Sequence, residues 1–256
     1  MITHGDSREG RKKFGVDFLA ALQFLTIIPL HRDVTQKELG RSLAYFPLVG
    51  LGIGAALFGL DRLFILFLPA ALGNALLLVV LVLLTGANHL DGFIDTCDGV
   101  IAGKSKKERL AIMSDTKVGA FGIVGAILLL LLKYASLSSA PILPALLLMP
   151  TLSRWTMVSI IFIFPYAKSS GMGLAFKQGA TWQRLTIATT IAFIVAVAVL
   201  KLWGLVLMAA LWLIAFGIAG YFRSRLGGLT GDNYGAINEL AEVLVLLLLI
   251  LIGRLP

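Results

Sequence analysis

Charged residues and cysteine are both scarce in this chain of 256 residues. Only 14% of the residues are Asp, Glu, Lys or Arg, whereas 58% are hydrophobic and the mean hydropathy is +0.92. Soluble domains carry about a quarter charged residues, so this composition excludes an ordinary soluble globular protein. The single cysteine, Cys97, excludes an internal disulfide framework. No linker separates domains, and we predict one transmembrane domain over residues 1–256.

Long apolar runs predict an all-α, polytopic membrane protein with about seven transmembrane helices. A helix that crosses a bilayer needs about 20 apolar residues. The apolar segment 14–28 is shorter and stops at Pro29, so we interpret it as an interfacial or re-entrant helix. We place the spans near residues 43–60, 63–88, 118–135, 143–164, 185–200, 202–222 and 240–253.

The positions of the 22 Lys and Arg residues indicate the orientation. Most lie in the N-terminal segment and in the loops 89–117, 165–184 and 223–239. Cytoplasmic loops carry an excess of these residues, so we predict that these segments are cytoplasmic. The net charge of +8 is then a topology signal, and membrane lipids and phosphorylated substrates, rather than nucleic acid, are the expected partners. Lys133, near a span end, is expected to snorkel to the interface.

Three aspartates, Asp91, Asp95 and Asp98, follow the second predicted span. On a helix, offsets of 4 and 7 residues place them within an arc of about 60°. Three like charges repel unless a cation joins them, and a divalent metal carrying a phosphorylated substrate satisfies that requirement. A solvated helix end is the alternative, although exposed acids need not share one face. His89 is a candidate base or phosphate contact if the helix begins after it, and a structural histidine fits equally well.

A second acidic pair, Asp232 and Glu239, is also spaced by seven residues. Gly235 and Ala236 lie between the two acids on the same side, so the helix surface there is bare. The preceding glycine-rich stretch can present backbone N–H groups to an anion. The alternative is a plain loop with Asp232 as a helix N-cap, but Glu239 continues the acidic face into an apolar span.

Two further sites carry candidate ligands for an anion or a metal. Asp115 either caps the third span or joins a metal shell, and Lys117 is a candidate phosphate contact. Arg154 lies inside the fourth predicted span, where an arginine needs a partner or a polar cavity. Its guanidinium suits a diphosphate oxygen or one of the aspartates.

Taken together, these residues fit metal-assisted displacement at a diphosphate. In that chemistry positive charge stabilises the phosphate oxygens and positioning does most of the remaining work. The chain has no persuasive Cys/His zinc site, no Walker loop and no Gly-x-Ser-x-Gly nucleophile, which argues against those enzyme classes.

The motifs also resemble those of a known family, over nearly the whole chain and in matching order. His89-Leu90-Asp91-Gly92-x-x-Asp95-Thr96-x-Asp98-Gly99 is similar to the principal signature of the cobalamin synthase family, the adenosylcobinamide-GDP ribazoletransferases. Further matching blocks lie at residues 24–29, 45–50, 113–122, 153–155, 165–173 and 227–239. Two departures are Lys117 and Lys168, where we expect arginine. A lysine binds phosphate as a point charge rather than as a fork.

The resemblance implies a single transmembrane catalytic domain in the cytoplasmic (inner) membrane, with its active site on the cytoplasmic side. It would join α-ribazole, or its 5′-phosphate, to adenosylcobinamide-GDP, release GMP and use Mg²⁺. The expected catalytic residues are His89, as a possible base, with Asp91 and Asp95. The expected metal ligands are Asp91, Asp95, Asp98, Asp115, Asp232 and Glu239, and the expected phosphate contacts are Lys117, Arg154 and Lys168.

Two other functions use similar residues. A CDP-alcohol phosphotransferase also combines clustered aspartates with a diphosphate donor, but the Ala-Arg pair of its Asp-Gly-x-x-Ala-Arg stretch is absent after Asp91-Gly92-Phe93-Ile94. A cation-coupled or proton-coupled transporter would use buried acids without releasing a nucleotide. The apolar helix faces would also allow a homo-oligomer.

Overall fold

The computed structural model describes residues 6–254, with side chains described from residue 15 onward. Within these ranges the fold is all-α, as predicted, and the only β-type contact is an isolated parallel bridge between Tyr166 and Leu229. The helices are α1 (Asp6–Leu25), α2 (Gln36–Ser42), α3 (Phe46–Phe64), α4 (Ala70–Leu84), α5 (Asn88–Ala102), α6 (Lys106–Ile112), α7 (Ala120–Ser139), α8 (Ile142–Ile163), α9 (Met172–Gly179), α10 (Trp182–Leu200), α11 (Leu202–Leu226) and α12 (Gly231–Ile252).

Six helical stretches in the described part of the chain are long and apolar enough to cross a membrane. They are α2 together with α3, which are joined by a 3₁₀ turn, and then α7, α8, α10, α11 and α12. Helices α4 and α5 are bent by 89° at the break between them, and they provide a seventh span if the pair is counted as one. The prediction of about seven transmembrane helices is therefore confirmed.

Several predicted boundaries differ from the observed ones. The predicted span 63–88 begins inside α3, and α4 itself has only 15 residues. Pro69 stands immediately before α4, where its missing N–H group removes no helical hydrogen bond. Gly86 and Ala87 then separate α4 from α5 with positive φ angles of 65° and 56°. This turn directs α5 away from α4.

The last span also begins earlier than predicted, at Gly231 instead of near residue 240. Thr230 starts it with a capping box, in which its side chain accepts from the N–H of Asn233 while the Asn233 side chain accepts from the N–H of Thr230. The polar residues that follow, which the sequence placed in a loop, are therefore the first turns of α12.

The N-terminal helix α1 extends to Leu25, and its apolar part, Gly15–Leu25, is too short to cross a bilayer. Its interfacial or re-entrant position stays a prediction. Asp17 attaches α1 to α2 through an ion pair of 2.8 Å with Arg41.

Helix α8 is the centre of the bundle. Almost every side chain from Ala145 to Ile161 is buried, and α3, α10, α11 and α12 all pack against this helix. Helix α12 packs on α8 with one side and on α5 and α7 with others. Apolar side chains on α7 and α10 are widely exposed, as expected of surfaces that face lipid. Helix α12 thus joins the central helix to α5, which carries the first aspartate cluster.

Candidate active site

A cavity of about 460 Å³ lies beside the start of α5, the start of α12 and the loop that leads into α9. His89, Asp91, Lys168 and Asp232 line its polar part, and we call it the carboxylate cavity. Residues from four distant stretches of the chain also give it an aromatic and apolar part, namely Phe24, Phe46, Met157, Ile161 and Phe176.

The two predicted acidic segments meet because α5 and α12 approach each other very closely. A Cβ atom on Gly92 would lie 2.7 Å from the carbonyl oxygen of Asp232. A Cβ atom on Gly235 would lie 3.0 Å from the carbonyl oxygen of His89. Neither position has room for a side chain, so the glycines permit backbone contact between the helices. Asp91 from the first predicted acidic segment and Asp232 from the second therefore line the same cavity.

Side-chain hydrogen bonds fix this crossing. The Asn233 amide donates to the hydroxyl of Thr96 in α5 over 3.0 Å. The Thr230 hydroxyl donates to the Asp232 carboxylate over 3.1 Å. The capping residues of α12 therefore hold both the neighbouring helix and the carboxylate that faces the cavity.

The carboxylates and one lysine form a single electrostatic group. Asp95 is half-buried, and the negative charges of Asp91 and Asp232 both act on it. Lys168 Nζ lies 3.5 Å from an Asp232 carboxylate oxygen and donates to the hydroxyl of Ser114 over 3.3 Å. One lysine among three carboxylates leaves an excess of negative charge, which favours binding of a cation.

The loop that carries Lys168 is attached to the segment before α12. Leu229 donates to the carbonyl of Pro165 and accepts from the N–H of Ala167, both over 2.8 Å. This bridge places Tyr166 and Lys168 at the wall of the cavity. Burial and the nearby Asp232 carboxylate raise the pKa of Tyr166, so its phenol stays protonated and can donate a hydrogen bond.

The donor set fits magnesium in part. Within the described residues, no three His, Cys, Asp or Glu side chains converge into a ready-made metal cluster. Magnesium, however, is usually bound by one or two carboxylates, several waters and substrate phosphates. Carboxylates from two helices around an open cavity suit that kind of shared coordination.

The chain is similar to proteins of one family over almost its full length. Residues 17–250 match the model of the family described as cobalamin-5-phosphate synthase. The chain belongs to this family.

The chain is also similar in sequence to proteins named adenosylcobinamide-GDP ribazoletransferase. The protein from Geotalea daltonii is 38% identical over 92% of this chain and 97% of its own length. The one from Desulfitobacterium hafniense is 40% identical over 89% and 93%, and the one from Desulforamulus reducens is 36% identical over 90% and 94%. No solved structure matches the chain. As a member of this family the chain is an enzyme, and the resemblance predicted from its motifs is confirmed.

Two of the predicted metal ligands, Asp98 and Glu239, are hydrogen-bonded to other groups of the protein. The Asp98 carboxylate accepts from the N–H groups of Gly119 and Gly122 over 2.7 and 2.8 Å, so it caps the start of α7. Glu239 accepts from Lys133 over 2.7 Å in the interior of the bundle. Neither residue lines the carboxylate cavity.

The expectation that Lys133 snorkels to the membrane interface is wrong. Lys133 is only 1% exposed and donates to both Glu239 and Glu242 over 2.7 Å. Arg154 is fully buried and pairs with the other oxygen of Glu242. The structure therefore does not bring Arg154 to the cavity wall, because this arginine pairs with the buried carboxylate of Glu242.

Lys117 and Asp115 also lie apart from the cavity lining. Both are exposed, and the Asp115 carboxylate accepts from the N–H of Lys117 over 3.1 Å, which closes a short turn before α7. Of the three predicted phosphate contacts, Lys168 alone lines the cavity. The sequence predicts a role for His89 in the site only if the helix begins after it. Helix α5 begins at Asn88, before the histidine, and His89 nevertheless lines the same cavity as Asp91.

Sequence reasoning missed the aromatic part of the cavity. The rings of Phe24 and Phe46 stack with centroids 5.8 Å apart, and Phe176 lies 4.6 and 5.6 Å from them. Phe24 and Phe46 lie in the motif blocks at residues 24–29 and 45–50, which could have pointed to them. Apolar residues in a membrane protein, however, are most often packing residues. Only their convergence from α1, α3 and α9 reveals a shared wall.

Proposed function

We propose that the chain joins α-ribazole, or its 5′-phosphate, to adenosylcobinamide-GDP with release of GMP. Membership of the family and the names of its relatives support this reaction. The observation that carries the proposal is that Asp91, Asp232 and Lys168, from distant parts of the sequence, line one cavity. Such a site suits a diphosphate with a bound cation.

The reaction is a substitution at phosphorus. A ribazole hydroxyl oxygen forms a new P–O bond at the phosphorus nearer the cobinamide, and the P–O bond to GMP breaks. GMP leaves with the electrons of that bond, and the hydroxyl proton passes to solvent or to a base. The product keeps one of the two phosphates of the donor diphosphate, and no oxidant or reductant is required. The protein needs only to align the two oxygens and to stabilise their charge.

Asp91 and Asp232, which line the cavity, would hold magnesium together with Asp95, which lies outside the lining but close enough that the charges of both act on it. When bound, magnesium supplies positive charge that stabilises the phosphate oxygens and the leaving GMP. Lys168 adds a point charge beside Asp232. Asp98 and Glu239 act indirectly in this scheme, since one caps α7 and the other neutralises Lys133.

The aromatic and apolar part of the cavity gives a place for the flat base of a nucleoside. A volume of about 460 Å³ accommodates a group of nucleoside size, whereas the corrin ring must stay outside. We place the cavity on the cytoplasmic side of the cytoplasmic membrane, because the Lys-rich and Arg-rich loops surround it.

The test is to incubate purified full-length protein with adenosylcobinamide-GDP, α-ribazole and Mg²⁺, and to measure GMP and the cobamide product in equal amounts. Omission of either substrate, or an excess of chelator, should stop GMP release, and added Mg²⁺ should restore it. Release of GMP without ribazole would show hydrolysis instead of transfer. No release under any condition, with ion flux in proteoliposomes, would favour a transporter.

A further inference from the structure

His89 belongs to a buried chain of hydrogen bonds that leads away from the cavity. Its ring nitrogen Nδ1 lies 3.1 Å from the amide nitrogen of Asn238. The same amide nitrogen lies 3.3 Å from a carboxylate oxygen of Glu242. All three residues are buried, and the Glu242 side chain is only 1% exposed.

Glu242 is held as a carboxylate by two cations. Lys133 contacts one of its oxygens over 2.7 Å, and Arg154 contacts the other. A buried carboxylate with two cationic partners stays ionised and can only accept hydrogen bonds. The group of Asn238 that faces Glu242 must therefore be its NH₂, and the amide orientation is fixed by chemistry.

The orientation of Asn238 decides the position of the proton on His89. The NH₂ group has two hydrogens, and the second one points to Nδ1 of His89. A donor facing Nδ1 requires that this nitrogen be the acceptor, so in the neutral ring the proton is on Nε2. Nε2 has no hydrogen-bond partner within the described part of the chain, and His89 lines the carboxylate cavity.

We propose that Asn238 is a positioning residue that holds neutral His89 as the tautomer with its proton on Nε2, so that His89 presents a hydrogen-bond donor to the cavity. This inference rests on the proposed function for the identity of the acceptor, a phosphate oxygen of the diphosphate. Such a donor stabilises negative charge that develops on the oxygen during substitution. His89 in this tautomer does not serve as the base for the ribazole hydroxyl, so of the two roles considered from the sequence, base and phosphate contact, the inference favours the phosphate contact.

The first test measures the tautomer directly and needs no substrate. The full-length protein, labelled with ¹⁵N-histidine in detergent micelles, contains three histidines, and the His89→Gln variant identifies the signals of residue 89. At neutral pH the wild-type spectrum should show His89 with an unprotonated Nδ1 and a protonated Nε2. Asn238→Asp should reverse the pattern, because a carboxylate accepts from Nδ1–H. Gln178→Glu, which makes the same amide-to-carboxylate change at an exposed position of α9 outside the cavity lining, is the control and should leave it unchanged.

The opposite tautomer in the wild-type protein would overturn the proposal. This result is readable even if the Asn238 variants fail to fold, and even if the proposed reaction is incorrect.

The second test separates a donor from a base by kinetics. Glutamine can donate a hydrogen bond but cannot take up a proton, so His89→Gln should retain much more activity than His89→Ala. Loss of one donor at a developing oxyanion lowers kcat by about 10²–10³, and that loss is expected for His89→Ala with little change in the KM for α-ribazole. Equal losses in the Gln and Ala variants, with the wild-type tautomer reversed, would identify His89 as a base.

Discussion

The backbone of Asp232 in α12 lies directly against Gly92 in α5, so that a Cβ atom at position 92 would lie 2.7 Å from the Asp232 carbonyl oxygen. This contact brings the two acidic segments to one cavity. The identity of residue 92 therefore affects the distance between Asp91 and Asp232, although a glycine has no side chain to bind a substrate.

Gly92→Ala should separate α5 from α12. Inserting a methyl group into such a contact destabilises a protein by about 1–3 kcal/mol, and the displaced Asp91 and Asp232 should also lower kcat. Thermal unfolding in detergent and GMP release measure the two effects. The control is Gly59→Ala, where a Cβ atom meets nothing within 4 Å. Equal stability and activity of both variants would show that the helices tolerate the methyl group.

Asp91→Asn and Asp95→Asn should each abolish turnover while leaving the protein inserted and folded. Each change removes a negative charge from the group that would hold magnesium, without changing side-chain size. The measurement is GMP release over a range of Mg²⁺ concentrations. Asp33→Asn, an exposed carboxylate outside the cavity lining, provides the matched control. Full activity in purified Asp91→Asn or Asp95→Asn protein would reject the metal assignment.

Lys168→Met should reduce kcat/KM for adenosylcobinamide-GDP, whereas Lys117→Met should have little effect. Lys168 lines the cavity, and Lys117 lies in an exposed turn outside its lining. A hydrogen bond to a charged group contributes about 1.5–3 kcal/mol, which corresponds to a loss of about 10- to 100-fold. Steady-state kinetics with varied donor substrate distinguishes the two lysines. The reverse order of effects would move the phosphate site towards α7.

Lys133→Met should destabilise the bundle strongly. The change leaves Glu239 without its cationic partner and Glu242 with only Arg154, and breaking a buried ion pair costs about 3–5 kcal/mol. Unfolding followed by circular dichroism in detergent measures this loss. The exposed Lys107→Met change should be neutral. Adding Glu239→Gln to Lys133→Met should recover part of the stability, and the absence of any recovery would contradict the assigned pairing.

The sequence by itself determined the class of fold and the family. Long apolar runs require helices in a membrane, because the backbone must satisfy its hydrogen bonds internally there. The seven-residue spacing predicted that Asp98 would accompany Asp91 and that Glu239 would accompany Asp232, but only Asp91 and Asp232 line the cavity. The pattern could not separate Asp98 from its neighbours, since only the position of the α7 N-terminus makes that carboxylate a helix cap.

Tertiary structure decided which charged residues face the cavity and which ones neutralise each other. Arg154, Lys133 and Glu242 are far apart in sequence, and no local periodicity shows that they meet in the interior. Charge buried in a bundle must find a partner from another helix, and that choice depends on how α7, α8 and α12 pack. The spacing of residues along the chain determines which side chains share one helix face, whereas the packing of helices determines which residues that face contacts.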